Sequence, residues 1–404
     1  MEANAETWCD RDEHELFEYY VDFNEWLDGE DAATVREAYK VDGISVPSKA
    51  FYAGDKKAYD QAFKEYRKTR RHEVLNERYL CDQFSDDHWF QRNLDRFDQL
   101  VDRLEDGDVV PFIGAGLSVA GGFPTWEGHL RGQGRTAGID PAHTEELLAS
   151  GEYETLIEEI EVRRGRDVFT QEIRDVFSRT GEITGTTLLV TELFTDTVIT
   201  TNYDRLIEQA FETGVVNAYQ LITGRNPLVK LASDRVSIIK LHGNIKEPAT
   251  CILSKNQYDA AYGNAAVNMS LPIPRLLEYY YKNSSLLFLG CSLNNDRTVQ
   301  VFRAIKQKMG DIVIPQHFAI EQAPETEQAV SDRNAYLAGL GITGIWFQKG
   351  QFEYVEGMLR LARNELRYRG TFSEDTNRAM GQAADLEPRK GGLWESLKRL
   401  FVRG

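Results

Sequence analysis

The segment Val109 to Trp126, VVPFIGAGLSVAGGFPTW, constrains the fold of this chain more than any other. A short apolar run ends in Gly-Ala-Gly, and further small residues and a proline follow it. This order predicts a buried parallel strand, a glycine-rich turn and a helix start, where α/β sheets bring backbone N–H groups to a phosphate. Val119 occupies the third glycine position of a dinucleotide fingerprint, which disfavours a nicotinamide dehydrogenase.

Three later apolar runs also end in small or polar residues. They are TVITTNYD at 197–204, VSIIKLHG at 236–243 and SLLFLGCSL at 285–293. The carboxyl ends of parallel strands share one rim of a sheet, and ligands bind at that rim. The sequence therefore predicts an α/β fold with a Rossmann-like parallel sheet and a ligand site built from these four strand ends.

In this order the motifs GAGLS…GGFPTW, TNYD, KLHG and GCSL resemble the sirtuin family of silent-information-regulator domains, which cleave the nicotinamide–ribose bond of NAD. Three features depart from the protein-deacylating members. The cysteines Cys9, Cys81, Cys251 and Cys291 form no C-x-x-C pair for a zinc ribbon. Thr125-Trp126-Glu127 replaces the usual Asp-Phe-Arg, and Thr201 replaces Gln before the key Asn. The chain looks instead like the NAD-hydrolysing, metal-free sirtuin-like domains of bacterial antiphage defence proteins, including the HerA-associated type.

The resemblance assigns three catalytic residues. Asn202 would orient a water and the ribose, His242 would act as a base, and Asp204 would accept from the nicotinamide carboxamide. Each residue also has a structural interpretation: Asn202 as a helix N-cap, Asp204 as a first-turn acid, and His242 as a hydrogen-bonded polar residue.

The expected NAD-binding residues follow from the same resemblance. They comprise a pyrophosphate cradle, a wall over the nicotinamide, an adenosine side and neighbouring motif positions: Gly114, Ala115, Gly116, Ser118, Pro124, Trp126, Thr200, Gly290, Ser292 and Glu321.

Periodicity and composition predict three regions. Residues 1–95 form a helical assembly or regulatory unit whose aromatic stripe, with Trp8, Tyr20 and Trp26, makes a core face or an interface. Residues 96–370 form the catalytic domain, in which a helical cap over 145–177 replaces the zinc module. Residues 371–404 form a linker and an amphipathic helix, Leu393 to Val402, that is expected to dock on a partner or a second subunit.

Charge and hydropathy exclude several classes of function. The 404-residue chain has a net charge of −17, so its surface as a whole does not favour nucleic acid. The basic run Lys64 to His72 fits a solvated or ion-paired helix face, or a contact with nucleic acid or an acidic partner. No apolar run reaches the length of about 18 residues that a membrane span needs, and the start lacks signal-peptide features, so we expect a cytoplasmic protein.

The leading hypothesis is an NAD⁺ glycohydrolase that acts as an abortive-infection effector. It would work as a homo-oligomer, with a hexameric HerA-type ATPase as the partner that best fits the resemblance. The alternatives are a non-catalytic NAD or ADP-ribose sensor, and a zinc-free deacylase or ADP-ribosyltransferase. Intact Asn202 and His242 argue against a sensor.

Overall fold

The computed structural model describes residues 17–84, 88–213, 218–224, 235–309 and 313–370. Within these ranges seven strands form one parallel sheet in the order β3-β4-β2-β1-β5-β6-β7. The strands are β1 (Val109–Ile113), β2 (Thr197–Thr200), β3 (Tyr219–Thr223), β4 (Val236–Lys240), β5 (Ser285–Leu289), β6 (His317–Gln322) and β7 (Ile342–Phe347).

Helices precede the sheet and connect its strands. Before β1 come α1 (Val21–Asp28), α2 (Ala33–Ala38), α3 (Pro47–Gly54), α4 (Lys56–Val74), α5 (Glu77–Phe84) and α6 (His88–Glu105). After β1 come α7 (Ala115–Ser118), α8 (Trp126–Thr136), α9 (Pro141–Ser150), α10 (Tyr153–Arg164), α11 (Arg166–Phe177), α12 (Gly185–Leu193), α13 (Leu206–Thr213), α14 (Lys255–Tyr262), α15 (Pro272–Asn283), α16 (Arg297–Met309), α17 (Glu327–Gly339) and α18 (Glu353–Tyr368).

The central strands are short apolar runs because both faces of the sheet are covered by helices. All residues of β1, β2, β4 and β5 are buried. β1 pairs with β5 from Val109 opposite Ser285 to Ile113 opposite Leu289, and it pairs on its other edge with β2. The strands that follow β1 in the chain are therefore added on both of its edges. The space beyond the carboxyl end of β1 is thus a topological switch point.

A helical cap covers this end of the sheet, as the sequence predicts for the position of the missing zinc module. Helices α8 to α11 enclose their own apolar cluster, which includes Leu156, Ile160 and Phe169. Tyr203 and Leu206, from the segment after β2, belong to the same cluster. The cap is therefore packed against the rim where the predicted site residues lie.

The helices before β1 bury the predicted aromatic stripe. Phe23 and Tyr59 are fully buried, and Tyr20 and Trp26 pack against the same cluster, which favours the core interpretation; Trp8 lies outside the described residues. Helix α6 crosses residue 95, the predicted domain boundary, and packs into the core of the sheet.

The basic run on α4 is largely ion-paired within the chain. Arg67 Nε donates to Glu365 Oε1 at 2.8 Å, and Arg71 Nη2 donates to Asp98 Oδ1 at 2.6 Å. These contacts support the ion-paired interpretation of the run.

The segment from Asp259 to Leu277, for which the sequence suggests one helix, is divided between two helices in the structure. Helix α14 ends at Tyr262, since Gly263 has a φ of +107° and a side chain there would strike Ala266 O. Helix α15 starts at Pro272, which suits the first turn but not a helix interior. The predicted linker and the helix Leu393 to Val402 lie outside the described residues.

Candidate active site

A cleft of about 650 Å³ lies between the carboxyl rim of the sheet and the cap, within the usual range for small-molecule sites. Ten predicted site residues line it: Gly114, Ala115, Gly116, Trp126, Asn202, Asp204, His242, Gly290, Ser292 and Glu321. The structure therefore brings the ends of β1, β2, β4, β5 and β6 to one cavity.

The glycines after β1 and β5 allow two turns to pack against each other. A Cβ at Gly114 would lie 2.5 Å from Gly290 O, and Gly290 has a φ of +65°. The N–H groups of Gly114 and Gly116 donate to Leu289 O and Gly290 O, both at 2.9 Å. These two amides serve the contact between the turns, and α7 after them has only four residues, so the glycines shape the floor of the cleft rather than offering their own N–H groups to a pyrophosphate.

Asn202 is held directly behind this floor. Its Nδ2 donates to Gly114 O at 3.0 Å and to Ser118 Oγ at 3.1 Å. Both amide hydrogens are therefore used, and Oδ1 is the atom that remains for a water or a ribose hydroxyl. Helix α13 starts at Leu206, so Asn202 is not its N-cap.

Asp204 combines a place in the cleft wall with a local structural contact. Its Oδ1 accepts from Leu206 N at 3.0 Å at the start of α13, although Asp204 precedes this helix and is not in its first turn. Its other carboxylate oxygen is the one that a nicotinamide carboxamide would use.

Lys240 joins the segment after β2 to β4. Its side chain is fully buried, and Nζ donates to Tyr203 O, to Asp204 O and, at 3.0 Å, to Glu208 Oε1. Because His242 follows two residues later, this ammonium ties the two candidate catalytic segments together.

His242 is half-buried among tyrosines. Its Nε2 lies 2.8 Å from Tyr262 Oη, and the rings of Tyr258 and Tyr262 meet its ring edge to face. Burial lowers the pKa of His242 to about 4, so the imidazole is neutral at neutral pH. Gly243 leaves room for Thr250 O, and His242 O accepts from Ile252 N at 2.9 Å, which fixes the backbone on both sides of the ring.

An aromatic wall closes the β2–β4 end of the cleft. Trp126 stacks on His129 with ring centroids 5.8 Å apart and lies 5.4 Å from the ring of Tyr203. The Thr125 hydroxyl accepts from Gly128 N at 3.0 Å and caps α8, which sets the position of Trp126. This wall can cover a planar, cationic ring.

Glu321 lies at the opposite end of the cleft and is paired. Arg333 donates to both of its carboxylate oxygens, at 2.8 and 2.9 Å, and Arg333 Nη2 also donates to Ser292 O at 2.8 Å. Burial raises the pKa of Glu321, while Arg333 acts in the opposite direction. The remaining lone pairs of this carboxylate can accept from ribose hydroxyls.

Three predicted ligand-binding residues stand outside the cleft lining. Ser118 and Thr200 are each 1% exposed and act on Asn202: Ser118 Oγ accepts from its amide, and Thr200 Oγ1 accepts from its backbone N–H at 3.0 Å. Pro124 is partly exposed just before α8. Ser118 and Thr200 therefore position Asn202 and do not line the cleft themselves.

A cluster that the motifs miss fastens the cap to the sheet. Arg297, at the start of α16, donates to both oxygens of Glu154 on α10 at 2.7 Å and to Asp259 Oδ1 on α14 at 2.6 Å. Asp296, one residue earlier, caps α16 through Val299 N, and burial raises its pKa to about 6. In the sequence, the only sign of this cluster is the charged pair Asp296-Arg297 that follows the β5 motif.

A second missed contact joins two segments of the cap. Tyr153 donates to Glu127 Oε1 at 2.7 Å, and both residues line the cleft.

Among the residues that the structure describes, no group of three or more His, Cys, Asp and Glu could hold a metal ion. In the same part of the chain, no helix is long and apolar enough to cross a membrane.

Comparison with known proteins identifies the domain to which this cleft is similar. Residues 196–345 match the family model of the SIR2-like domain. This range contains Asn202, His242, Gly290 and Glu321 but not the glycine turn after β1.

Curated relatives carry the name NAD(+) hydrolase ThsA. That of Cytobacillus dafuensis is 26% identical over 221 residues, which are 52% of this chain and 41% of the relative. That of Acinetobacter baumannii (strain 532279) is 27% identical over 210 residues, with the same two shares. That of Bacillus cereus (strain MSX-D12) is 29% identical over 188 residues, 46% of this chain and 37% of the relative. The chain thus spans about two fifths of the length of these relatives.

Proposed function

We propose that this chain is an NAD⁺ glycohydrolase that cleaves the nicotinamide–ribose bond and releases nicotinamide and ADP-ribose. The observation that carries this proposal is the meeting of Asn202 and His242, at the ends of adjacent strands, in one cleft with the glycine turn. The relatives named as NAD(+) hydrolases support the same activity.

The extent of the rim suits a dinucleotide. From β4 to β6 the rim crosses four strand intervals of about 4.8 Å each, which is roughly 19 Å. An extended NAD⁺ would place its nicotinamide near Trp126 and His242, its pyrophosphate over the turns after β1 and β5, and its adenosine near Glu321. A mononucleotide would leave half of the rim unused.

The groups in the cleft match the needs of the reaction. Nicotinamide leaves as a neutral molecule from a cationic ring, so no strong acid is required. Water adds its oxygen to C1′ of an oxocarbenium-like ribose and loses a proton, which the neutral His242 can accept. Asn202 Oδ1 can hold that water or a ribose hydroxyl, because the amide cannot rotate without losing two hydrogen bonds.

The test is incubation of the purified full-length chain with NAD⁺, followed by chromatography and mass spectrometry of the products. We expect equimolar nicotinamide and ADP-ribose without an acyl-lysine peptide. Cyclic ADP-ribose as the main product would indicate cyclisation instead. Turnover only with the peptide, or transfer of ADP-ribose to protein, would support the deacylase or transferase alternatives.

The non-catalytic sensor remains the alternative from another class. It predicts NAD⁺ or ADP-ribose binding by calorimetry with no product. A module that only binds NAD⁺ has no need of both Asn202 and His242, which is why hydrolysis is preferred.

We further propose that the enzyme acts in the cytoplasm as an antiphage effector, by depleting NAD⁺ in infected cells. Expression of the wild-type chain should lower cellular NAD⁺ and protect a culture from phage, and Asn202→Ala should do neither. Unchanged NAD⁺ during infection would reject this role while leaving the enzymatic one intact.

A homo-oligomer, with a HerA-type hexameric ATPase as partner, is the assembly that we propose on the basis of the sequence resemblance. Light scattering on the full chain and on a chain truncated after Thr371 tests the homo-oligomer. Co-purification with the ATPase tests the partner. A full-length monomer at micromolar concentration with full activity alone would reject both.

A further inference from the structure

The end of the cleft beside Glu321 is apolar and contains an aromatic side chain that the protein leaves largely uncovered. Ile320, Phe347, Phe352 and Val355 line the cleft at this end. Phe347 is 2% exposed, whereas Phe352 is 62% exposed. In the described part of the chain, Phe352 is the most exposed of the large apolar side chains that line the cleft. Pockets for small molecules are lined mainly by groups of this kind, which suggests that a ligand covers the ring.

Two contacts hold Phe352 beside the end of β6, the strand that carries Glu321. In the register of β6 and β7, Gln322 lies opposite Phe347. Beyond β7, Gly350 N donates to Gln322 Oε1 at 3.3 Å. Phe352 follows two residues later. The turn that leads into α18 is therefore tied to the residue next to Glu321.

The ring of Phe352 is available for stacking. Its centroid lies 5.9 Å from that of Phe347, and the two planes meet at 64°, so these rings are not stacked on each other. Phe352 is the N-cap residue of α18, and Val355 N donates to Phe352 O at 3.1 Å. Because the first turn of the helix sets the backbone, a flat group can stack on Phe352 without moving the main chain.

We propose that Phe352 stacks on the adenine of NAD⁺ and makes the enzyme select a dinucleotide over nicotinamide mononucleotide. The inference deepens the proposed function and rests on it. In the arrangement proposed above, the adenosine ribose lies at Glu321, and the adenine is bonded directly to that ribose. Its flat faces suit an aromatic ring with aliphatic neighbours. Phe352 lies beyond residue 345, where the match to the SIR2-like domain ends, so the match does not assign this contact.

Calorimetry with ADP-ribose and the purified full-length chain tests this contact without turnover. Phe352→Ala should weaken the affinity about tenfold, because loss of one stacked base contact has an effect of this size. Phe352→Leu, which stays apolar but has no flat ring, should resemble Phe352→Ala. Phe352→Tyr keeps the ring and should stay within about twofold of the wild-type chain. Tyr279→Ala is the matched control, because Tyr279 is 58% exposed and does not line the cleft.

Steady-state kinetics with NAD⁺ provides a second measurement. Phe352→Ala should raise KM about tenfold and leave kcat within about twofold, since the adenine is remote from the bond that breaks and contributes the same contact before and during the reaction. A lower kcat at unchanged KM would contradict a role in base binding.

Equal affinity for ADP-ribose in the wild-type chain and in Phe352→Ala, including no measurable binding in either, would overturn the inference. A lower native mass of Phe352→Ala in light scattering would then assign the side chain to a subunit contact instead. Binding of ADP-ribose that depends on Phe352, in a chain that does not cleave NAD⁺, would overturn the proposed function alone.

Discussion

At the residue scale, the side chains of the candidate catalytic residues are oriented by hydrogen bonds to neighbouring groups. Asn202 is tied to Gly114 O and Ser118 Oγ, and His242 is tied to Tyr262. Such support matters because a positioned group acts only when it is held close to the productive geometry.

Asn202→Ala should lower NAD⁺ cleavage by at least about a hundredfold while the chain stays folded, because the group that orients water is lost. Product formation and circular dichroism measure the two effects. Asn283→Ala, on the surface of α15, is the control and should keep full activity. Near-normal turnover in folded Asn202→Ala would sink the assignment.

The acid side of the pH profile should report His242. Because burial lowers its pKa to about 4, the neutral base is present above that pH and is lost as the pH falls through it. We expect kcat/KM to stay level from pH 8 to about pH 5 and to drop near pH 4, with circular dichroism confirming the fold. A limb near the ordinary histidine value of about 6.5 would contradict this.

At the element scale, the cap packs on the rim through an apolar cluster that includes Tyr203 and Leu206, and polar contacts add to this packing. Arg297 makes the central one, since it bonds α10 and α14 from the start of α16 and also donates to Gly263 O. Arg297 is therefore the residue with the most polar contacts between the cap and the helices at the rim among those described above.

Arg297→Met keeps the length of the side chain but leaves the carboxylates of Glu154 and Asp259 unpaired. We expect KM for NAD⁺ to rise about tenfold and amide exchange in α10 to accelerate, while β1 and β5 keep their protection, because local opening follows the weakened contacts. Mass spectrometry of exchanged peptides measures this. Lys308→Met, on the exposed part of the same helix, should leave both quantities unchanged.

Elements that the motifs encode were predictable, and those set by packing were not. Apolar runs that end in small or polar residues identify β1, β2, β4 and β5 because strands buried on both faces are mainly apolar. The edge strand β3 (YQLIT) is only partly buried and lacks such a run. In the site, Asn202 and His242 follow from their motifs, but Tyr262 and Arg297 act through tertiary contacts that no local pattern reveals.

At the scale of the whole molecule, α18 connects the two ends of the fold. Phe352 and Val355, at its start, line the cleft, and Glu365 near its end binds Arg67 of α4. The helices before β1 are therefore joined to the cleft by one continuous helix.

Glu365→Gln should destabilise the chain, because Glu365 is fully buried and Arg67 and Arg71 would lose their shared carboxylate. Breaking a fully buried pair costs about 3–5 kcal/mol, and the partial exposure of Arg67 reduces the expected loss to about 2 kcal/mol. Urea unfolding of this variant measures the loss, with the exposed Glu353→Gln on the same helix as the control. Equal midpoints for the two variants would show that the pair adds nothing.

The burial of Lys240 allows the opening of the rim between β2 and β4 to be timed by chemical modification. An amine-reactive reagent modifies a lysine only when water can reach it, and Nζ of Lys240 is enclosed by Tyr203 O, Asp204 O and Glu208. Under brief acetylation the exposed side chains of Lys255 and Lys308 should be modified rapidly. Lys240 should be modified only after the segment following β2 separates from β4, and therefore more slowly. Peptide mass spectrometry over time would then give the rate at which the ends of β2 and β4 separate. Modification of Lys240 as fast as that of Lys255 would show that these two segments are not held together.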